Sequence, residues 1–510
     1  MFLLGKNAQQ LLRRNASRGN GWRELAESIV SSASVLDGTD LPVTWEEGRE
    51  VLLPTARTLA LRSQSLVVAH VLTGEFSFLK TMLSDGLKAA RLANWNPEHF
   101  LDTAEIAFAV ACISKWSQPI ASRSQLQELE KVLHERAVKR GLWSLRGGSN
   151  WTRTPGNWNI VCNAALTVVA TALREKYPDD CTELLERAET SSRIGLSDVG
   201  PGGEWKEGVV YLDHSAQFAW FATLATGSSH FQPILDCGEF RAAMTGPSGM
   251  VADFGDDLPV CAPPAVGPTG ATPAGSLPLN LLWGAPPTRA PDRYVGRTAA
   301  SLRSGRHFLA VRLGDIRHAH AHADLGSFIW EANGCRLIAD PGRLRYDIAG
   351  YFDPDTRFHI SGVTEHAHNC IAFEAVAQGP ATTARASFED DTLLVTISGD
   401  GYILQRCFHL EADGSLTVLD RLVDQGLSSG DAIWTCHVPG RHLGDGTFDE
   451  PGGATLSAML PGPVDQTTFT SEKADEALRQ RCSKCPLTRI QVSLTKDQLR
   501  QGVRSQFIVM

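Results

Sequence analysis

The chain has 510 residues, 43% of them hydrophobic and 21% charged, with a formal net charge of −9. This is the composition of an ordinary globular protein, long enough for two or three domains of about 150 residues each. No uninterrupted apolar run is long enough to span a bilayer, and the negative balance excludes a generally nucleic-acid-binding surface; an anionic ligand would need its own local arginines.

The start, Met1-Phe2-Leu3-Leu4-Gly5-Lys6, soon turns polar at Gln9 and Gln10 and basic at Arg13 and Arg14. It lacks the order of a secretory signal, so cytoplasmic residence is expected, or periplasmic residence where a leader has been removed. Apolar residues then recur at helical spacing in Phe100, Leu101, Ala104, Ala107, Phe108 and Ala111. A further helix through Leu126, Leu129, Val132 and Leu133 is expected to stop near Gly141. The stretch Ile160 to Ala172, small and apolar, predicts a deeply buried helix ending before Pro178, and Phe218, Phe221 and Leu224 repeat the spacing up to Gly227. Successive helices with short breaks predict stacked helical hairpins.

Between Gly255 and Arg293 the composition shifts to Pro, Gly, Ala and Thr, which predicts a surface connection between two bodies. Beyond it the period becomes that of strands. His307 to Leu313 is strand-like, Ser327 to Trp330 and Arg336 to Ala339 flank the hairpin signal Asn333-Gly334, and Gln405 to Leu410 and Ser415 to Leu419 enclose Ala412-Asp413-Gly414. Asp431 to His437 continues in the same style. The expected domains are therefore a helical one over 1–290 and an antiparallel β one over 291–510. Eleven cysteines, an odd number, are scattered without framework spacing, which points to reduced thiols. The one close pair, Cys482 and Cys485, could be half a zinc site or a redox pair, and no second pair completes it.

The most concentrated chemistry lies in His320-Ala321-His322-Ala323-Asp324, followed by Gly326-Ser327-Phe328. If this stretch is extended, His318, His320, His322 and Asp324 share one face while the alanines turn away, a set suited to proton transfer or a divalent metal. Three other patches stand out. Gly156-Asn157-Trp158-Asn159 opens the buried helix, where either asparagine could simply be an N-cap. Tyr211 ends the glycine-rich run Gly202 to Tyr211, with Asp213 and His214 just beyond; a tyrosine there could equally be a packing residue with a wet hydroxyl. His366-Ala367-His368-Asn369 follows Arg357.

Taken in order, these patches resemble the heparinase II/III family of polysaccharide lyases. Asn157-Trp158-Asn159 resembles the family's segment opening an inner helix, and Glu207-Gly208-Val209-Val210-Tyr211 its Glu-Gly-x-x-Tyr loop. His320 to Phe328 resembles its His-x-His-x-Asp-x-x-Ser-Phe run, Asp340-Pro341-Gly342 its Asp-x-Gly, and His368-Asn369 its His-Asn pair. The resemblance covers about residues 90 to 375 and implies an N-terminal (α/α) toroid followed by a C-terminal antiparallel β-sandwich. It implies β-elimination at a uronic acid in an anionic glycan, with Asn157 neutralising the uronate carboxyl group and Tyr211 and His320 as the proton-transfer pair. It also implies one structural divalent ion on His322, Asp340 and His368, a donor set that suits zinc, and manganese or calcium less selectively.

The chain departs from some members, which carry a histidine directly after the asparagine where Trp158 stands here; His214 is the candidate replacement. Trp158, His214, Arg357 and Tyr346 are the candidate substrate-binding residues, Tyr346 and Tyr351 lying where alginate-cleaving relatives carry a further tyrosine. Arg343 and Arg345 are further sources of positive field. Two other readings stay open: a glycoside hydrolase on the same toroid using Glu204, Glu207 and Asp213, and a non-catalytic glycan-binding protein. A homo-oligomer is left open, and neither a nucleic acid nor a membrane is expected as partner.

Overall fold

A computed structural model describes residues 3–19, 22–45, 51–258, 289–424, 431–444, 446–449, 455–462, 467–472 and 487–509. Cys482, Cys485 and most of the expected connection fall outside these residues. The described residues form two compact units. The first takes those up to Val199 together with Leu212–Gly238; the second takes Gly200–Tyr211, those from Glu239 to Leu258 and those from Arg289 onward. The helix-then-strand order holds, but the division is discontinuous. The tyrosine loop and the segment before the connection belong with the strands.

In the first unit α1 is Lys6–Ala16, α2 Trp22–Leu36, α3 Leu53–Thr73, α4 Ser77–Ala90, α5 Phe100–Trp116, α6 Arg123–Leu133, α7 Lys139–Trp143, α8 Asn157–Leu173 and α9 Pro178–Leu196; α10, Val209–Thr226, belongs to it from Leu212 on. Helix α5 is buried on all sides, Asp102 and Glu105 included, and α8 is nearly so. Helices this apolar around their circumference belong inside, which places α5 between α3 and α8, with α4 and α6 also against α5 and α9 against α8. No helix among the described residues is long and apolar enough to cross a membrane.

Gly141 does not stop its helix. The run continues from α6 through the π-helical turn His134–Val138, α7 and a second π-helical turn, Ser144–Gly148, and breaks at Gly147, whose φ is 112°. Gly141 is there for packing: a Cβ would lie 2.8 Å from Leu166 and 3.3 Å from Leu184, so α7 approaches α8 and α9 this closely only without a side chain.

The second unit is antiparallel throughout. Strands β1 (Arg293–Val295), β2 (Ala299–Ser304), β3 (His307–Arg312), β4 (Phe328–Ala332) and β5 (Cys335–Ile338) form one sheet in chain order. An eight-stranded sheet is built on β7 (Thr383–Glu389), β8 (Thr392–Gly399), β9 (Tyr402–Leu410), β10 (Leu416–Asp424) and β17 (Val503–Val509), and a four-stranded one holds β6 (Ile371–Phe373) beside β11 (Ala432–Pro439). Both hairpins form as expected. Asn333 and Gly334 have φ of 54° and 82°, both positive as a two-residue type I′ turn requires. Inward residues such as Phe328, Trp330, Phe408, Trp434 and Phe507 make one continuous core.

Candidate active site

The stretch His318–Asp324 is not a strand. It is irregular chain between β3 and β4, with a turn closed by Ala321 N–H to the His318 carbonyl and another by Ser327 N–H to Asp324. Just beyond it Gly326 turns the chain at φ +82°, where a Cβ would lie 2.3 Å from Ile397. The polar side chains therefore diverge. His318 Nε2 accepts from Arg312 Nη2 at 2.9 Å, and burial together with that guanidinium pushes its pKa well below the usual imidazole value. Asp324 accepts the Gly255 N–H at 2.9 Å. The alanines do turn inward, Ala321 and Ala323 being fully buried.

His320 and His322 converge instead on Asp256, a residue the sequence reading missed. Asp256 Oδ2 takes His320 Nδ1 at 3.0 Å and Arg357 Nη2 at 3.1 Å, while Oδ1 takes His322 Nε2 at 2.9 Å and the Tyr351 hydroxyl. Burial disfavours the charged carboxylate, but the bonds from His320 and His322 and the charge of Arg357 prevail and hold it well below the usual carboxylate range. An ionised Asp256 accepts, so in the neutral ring of His320 the proton sits on Nδ1 and the lone pair on Nε2. The only local signal was the acidic pair Asp256-Asp257 at the mouth of the Pro- and Gly-rich stretch.

Tyr211 stacks on this imidazole, with ring centroids 4.2 Å apart at 27°. Its hydroxyl meets that of Tyr346 at 2.5 Å. Burial and then the charge of Asp256 push the Tyr211 pKa up, against the opposing pull of Tyr346 and Arg343, so at neutral pH it is a phenol and a proton donor. Arg343 lies over the Tyr346 ring at 5.2 Å, and Phe352, 43% exposed, stands edge-on to His320 at 6.0 Å. A phenol, an oriented imidazole, an arginine and an exposed aromatic face thus share one end of the β unit.

Arg357 differs from its expected role. It is 2% exposed, and its donors are taken by the carbonyls of Ala321 and Tyr351 and by Asp256. It braces the site and does not face a ligand. Arg345 is paired with Asp347 on the surface. Glu204 is likewise committed, its Oε1 accepting the N–H of Thr298 at 2.6 Å and the Thr298 hydroxyl at 2.7 Å, which does not suit a hydrolytic acid or base.

His322, Asp340 and His368 lie in irregular segments and not on strands. They meet as a chain: His322 Nδ1 to His368 Nε2 at 3.1 Å, and His368 Nδ1 to Asp340 Oδ2 at 2.8 Å. Asp340 thus occupies the far nitrogen of His368, and no group of three or more such side chains among the described residues is placed to hold a metal ion. As the side chains stand, they do not fit a three-ligand ion. Asn369, from the same motif, is a structural staple, its amide reaching the carbonyls of Phe328 and Ala339 and its oxygen the backbone of His437.

In the helical unit neither asparagine is an N-cap. Gly156 holds that position, Asn157 is the first residue of α8, and Asn159 is buried on Trp151, Ser191 and the Gly195 N–H. Trp158 stands edge-on to His99 at 4.7 Å. His214 Nε2 meets Glu105 Oε1 at 3.1 Å, with Arg57 on the same carboxylate. Burial pushes Glu105 up, but Arg57 and His214 outweigh it and bring its pKa down to about 2.

Helical hairpins followed by antiparallel sheets, with a phenol stacked on an aspartate-held imidazole, define a toroid-plus-β-sandwich protein. Residues 297–478 match the family model described as Heparinase II/III-like, C-terminal, so the β region of the chain is similar to that family. No curated protein matches it. Among solved structures, a heparinase III is 12% identical, with 100% of this chain and 92% of that one covered at a TM-score of 0.62. The heparan sulfate lyase HepC from Pedobacter heparinus is 12% identical over 100% and 92% at 0.53. The Streptomyces coelicolor A3 chondroitin AC lyase, solved in complex with chondroitin sulphate, is 13% identical over 99% and 83% at 0.55. At such identities the likeness is one of fold, the (α/α) toroid and β-sandwich expected from the motifs.

Proposed function

We propose that the protein is a polysaccharide or oligosaccharide lyase that cleaves a uronic-acid-containing glycan by β-elimination. The observation that carries this reading is the Tyr211–His320 stack, a neutral phenol against an imidazole whose Nδ1 is held by Asp256. The similarly folded heparan sulfate lyase and the chondroitin AC lyase bound to chondroitin sulphate support an anionic glycosaminoglycan as the substrate class.

The C5 proton of a uronate is acidified by the adjacent carboxyl group. His320 Nε2 takes that proton, the C5–H electron pair becomes the C4=C5 double bond, and the C4–O bond breaks. Tyr211 gives its hydroxyl proton to the departing glycosidic oxygen, and transfer of the proton from His320 back to the phenolate resets the pair. The family resemblance gives Asn157 the task of donating to the uronate carboxyl group as it becomes an enediolate. Removing such a preorganised donor costs about 10²–10³-fold in turnover. The divalent ion of the resemblance, zinc in the first place, enters only as a structural group, and no step runs through it. Elemental analysis before and after chelation decides its place. About one ion per chain would turn Asp340 and His368 onto it, and none would leave the hydrogen-bonded chain.

The test is a panel of uronate polymers and oligomers followed by ultraviolet absorbance, since elimination leaves a conjugated unsaturated uronate and hydrolysis does not. Activity is expected on at least one member, with Tyr211→Phe and His320→Ala each slowed by about 10²–10⁴-fold. A folded Tyr211→Phe protein with undiminished turnover would remove the assignment. Reducing-end release without absorbance would point to a hydrolase instead.

A further inference from the structure

The segment Phe254-Gly255-Asp256-Asp257 reaches both members of the working pair, Asp256 by contact with His320 and Asp257 through the two backbone amides that precede Tyr211. Asp256 holds the His320 ring through Nδ1 at 3.0 Å, and its backbone N–H returns to the His320 carbonyl at 3.1 Å, so one residue grips both ends of the histidine. Asp257 accepts the N–H groups of Val209 at 2.6 Å and Val210 at 3.1 Å, the opening amides of the helix whose third residue is Tyr211. Gly208 makes room for this: its φ is +95°, and a Cβ would lie 2.2 Å from Asp257 Oδ2. Gly255 does the same for the other aspartate, with φ +62° and a would-be Cβ 2.6 Å from the His320 carbonyl oxygen. Two positive-φ glycines therefore bring one carboxylate onto the His320 ring and the next onto the amides that open the helix of Tyr211.

We propose that Asp256 and Asp257 are a coupled pair of positioning residues, Asp256 fixing the His320 ring with its proton on Nδ1 and Asp257 setting the Tyr211 hydroxyl against it. Neither aspartate touches the sugar. The assignment rests on the lyase reading for its kinetic consequence, but the ring state of His320 can be read without any activity.

The experiment uses two substrates, a uronate oligomer and the same uronate carrying a dinitrophenolate at C4, which leaves without a proton. Asp256→Asn places an N–H donor against Nδ1 and favours the other tautomer; by analogy with the effect of such a swap in an Asp–His pair, turnover falls by roughly 10³-fold or more on both substrates with KM within a few fold. Asp257→Ala displaces the acid only and slows the oligomer by roughly 10–10²-fold while sparing the activated substrate. Equal losses on both substrates from both variants, or losses confined to KM, would reduce the pair to ordinary structural residues. Nitrogen NMR of the full-length protein with labelled histidine, the His320 signal being the one lost in His320→Gln, is expected to show the Nδ1–H tautomer. An Nε2–H signal overturns the Asp256 assignment even if Asp256→Asn fails to fold. If the wild-type protein cleaves no uronate, the lyase reading fails, and the tautomer still decides whether Asp256 orients the ring.

Discussion

Gly255→Ala tests whether backbone contact at the site governs turnover. At φ +62° an alanine costs about 1–2 kcal/mol relative to its preferred region. The added Cβ would lie 2.6 Å from the His320 carbonyl oxygen, which is backbone and cannot rotate away, and which also receives the Asp256 N–H at 3.1 Å. Lengthening that bond adds about 1 kcal/mol, for a total of roughly 2–3 kcal/mol. Relieving the clash moves His320 by several tenths of an ångström, and misplacements approaching 1 Å cost up to about 10²-fold in rate. Gly305→Ala is the matched control: its φ is +59°, but nothing lies within 4 Å of a Cβ, so it carries the conformational cost without the collision. Thermal unfolding followed by circular dichroism and initial rates by ultraviolet absorbance give both quantities. The expected result is a lower Tm in both variants and lost turnover in Gly255→Ala alone. Wild-type turnover in a folded Gly255→Ala protein would refute the argument that this contact sets the histidine.

Other outcomes follow from the same geometry. Tyr346→Phe removes the 2.5 Å partner of the Tyr211 hydroxyl and is expected to lower kcat by about tenfold while the fold is kept, as one charge-neutral hydrogen bond is lost; steady-state kinetics checks it. Glu105 has its pKa lowered from 4.5 to about 2, so its stabilising effect is full above about 4.5 and fades as pH falls toward about 2. At 1.36 kcal/mol per unit this is on the order of 3 kcal/mol, and Glu105→Gln should lose most of that at neutral pH and unfold with a flatter acid dependence in denaturant titrations. Glu331→Ala removes one of the two carboxylates on the buried Arg336, whose Nη2 lies 3.0 Å from Glu331 Oε1 and whose Nη1 stays 2.6 Å from Asp253 Oδ1, and should destabilise by about 1–3 kcal/mol in chemical denaturation.

Much of this was legible before any coordinates. Hairpins announced themselves through Asn333-Gly334 and Gly414, and inner helices through the run Ile160 to Ala172, because turn chemistry and periodicity act over a few residues. Tyr211 and His320 were visible as motif members. Asp256 was not, since its partner His320 is 64 positions away and its own neighbourhood has the composition of a connection. The alternation His318-x-His320-x-His322 misled because side-chain period implies a shared face only in extended chain, and the turn from Ala321 N–H to the His318 carbonyl bends this stretch. Likewise Gly141 looked like a stop when its reason is contact with Leu166. A glycine's purpose is tertiary as often as local.

The discontinuity of the β unit bears on any attempt to dissect the protein. A fragment excised after residue 290 would carry His320 and Tyr346 but not Tyr211, Asp256 or Asp257, which reach that unit from earlier in the chain. Its imidazole would lose its anchor and its phenol together. Chimeras that graft this sheet region onto another toroid must therefore transplant Gly200–Tyr211 and the stretch from Glu239 as separate inserts, which makes the unit inheritable only in pieces.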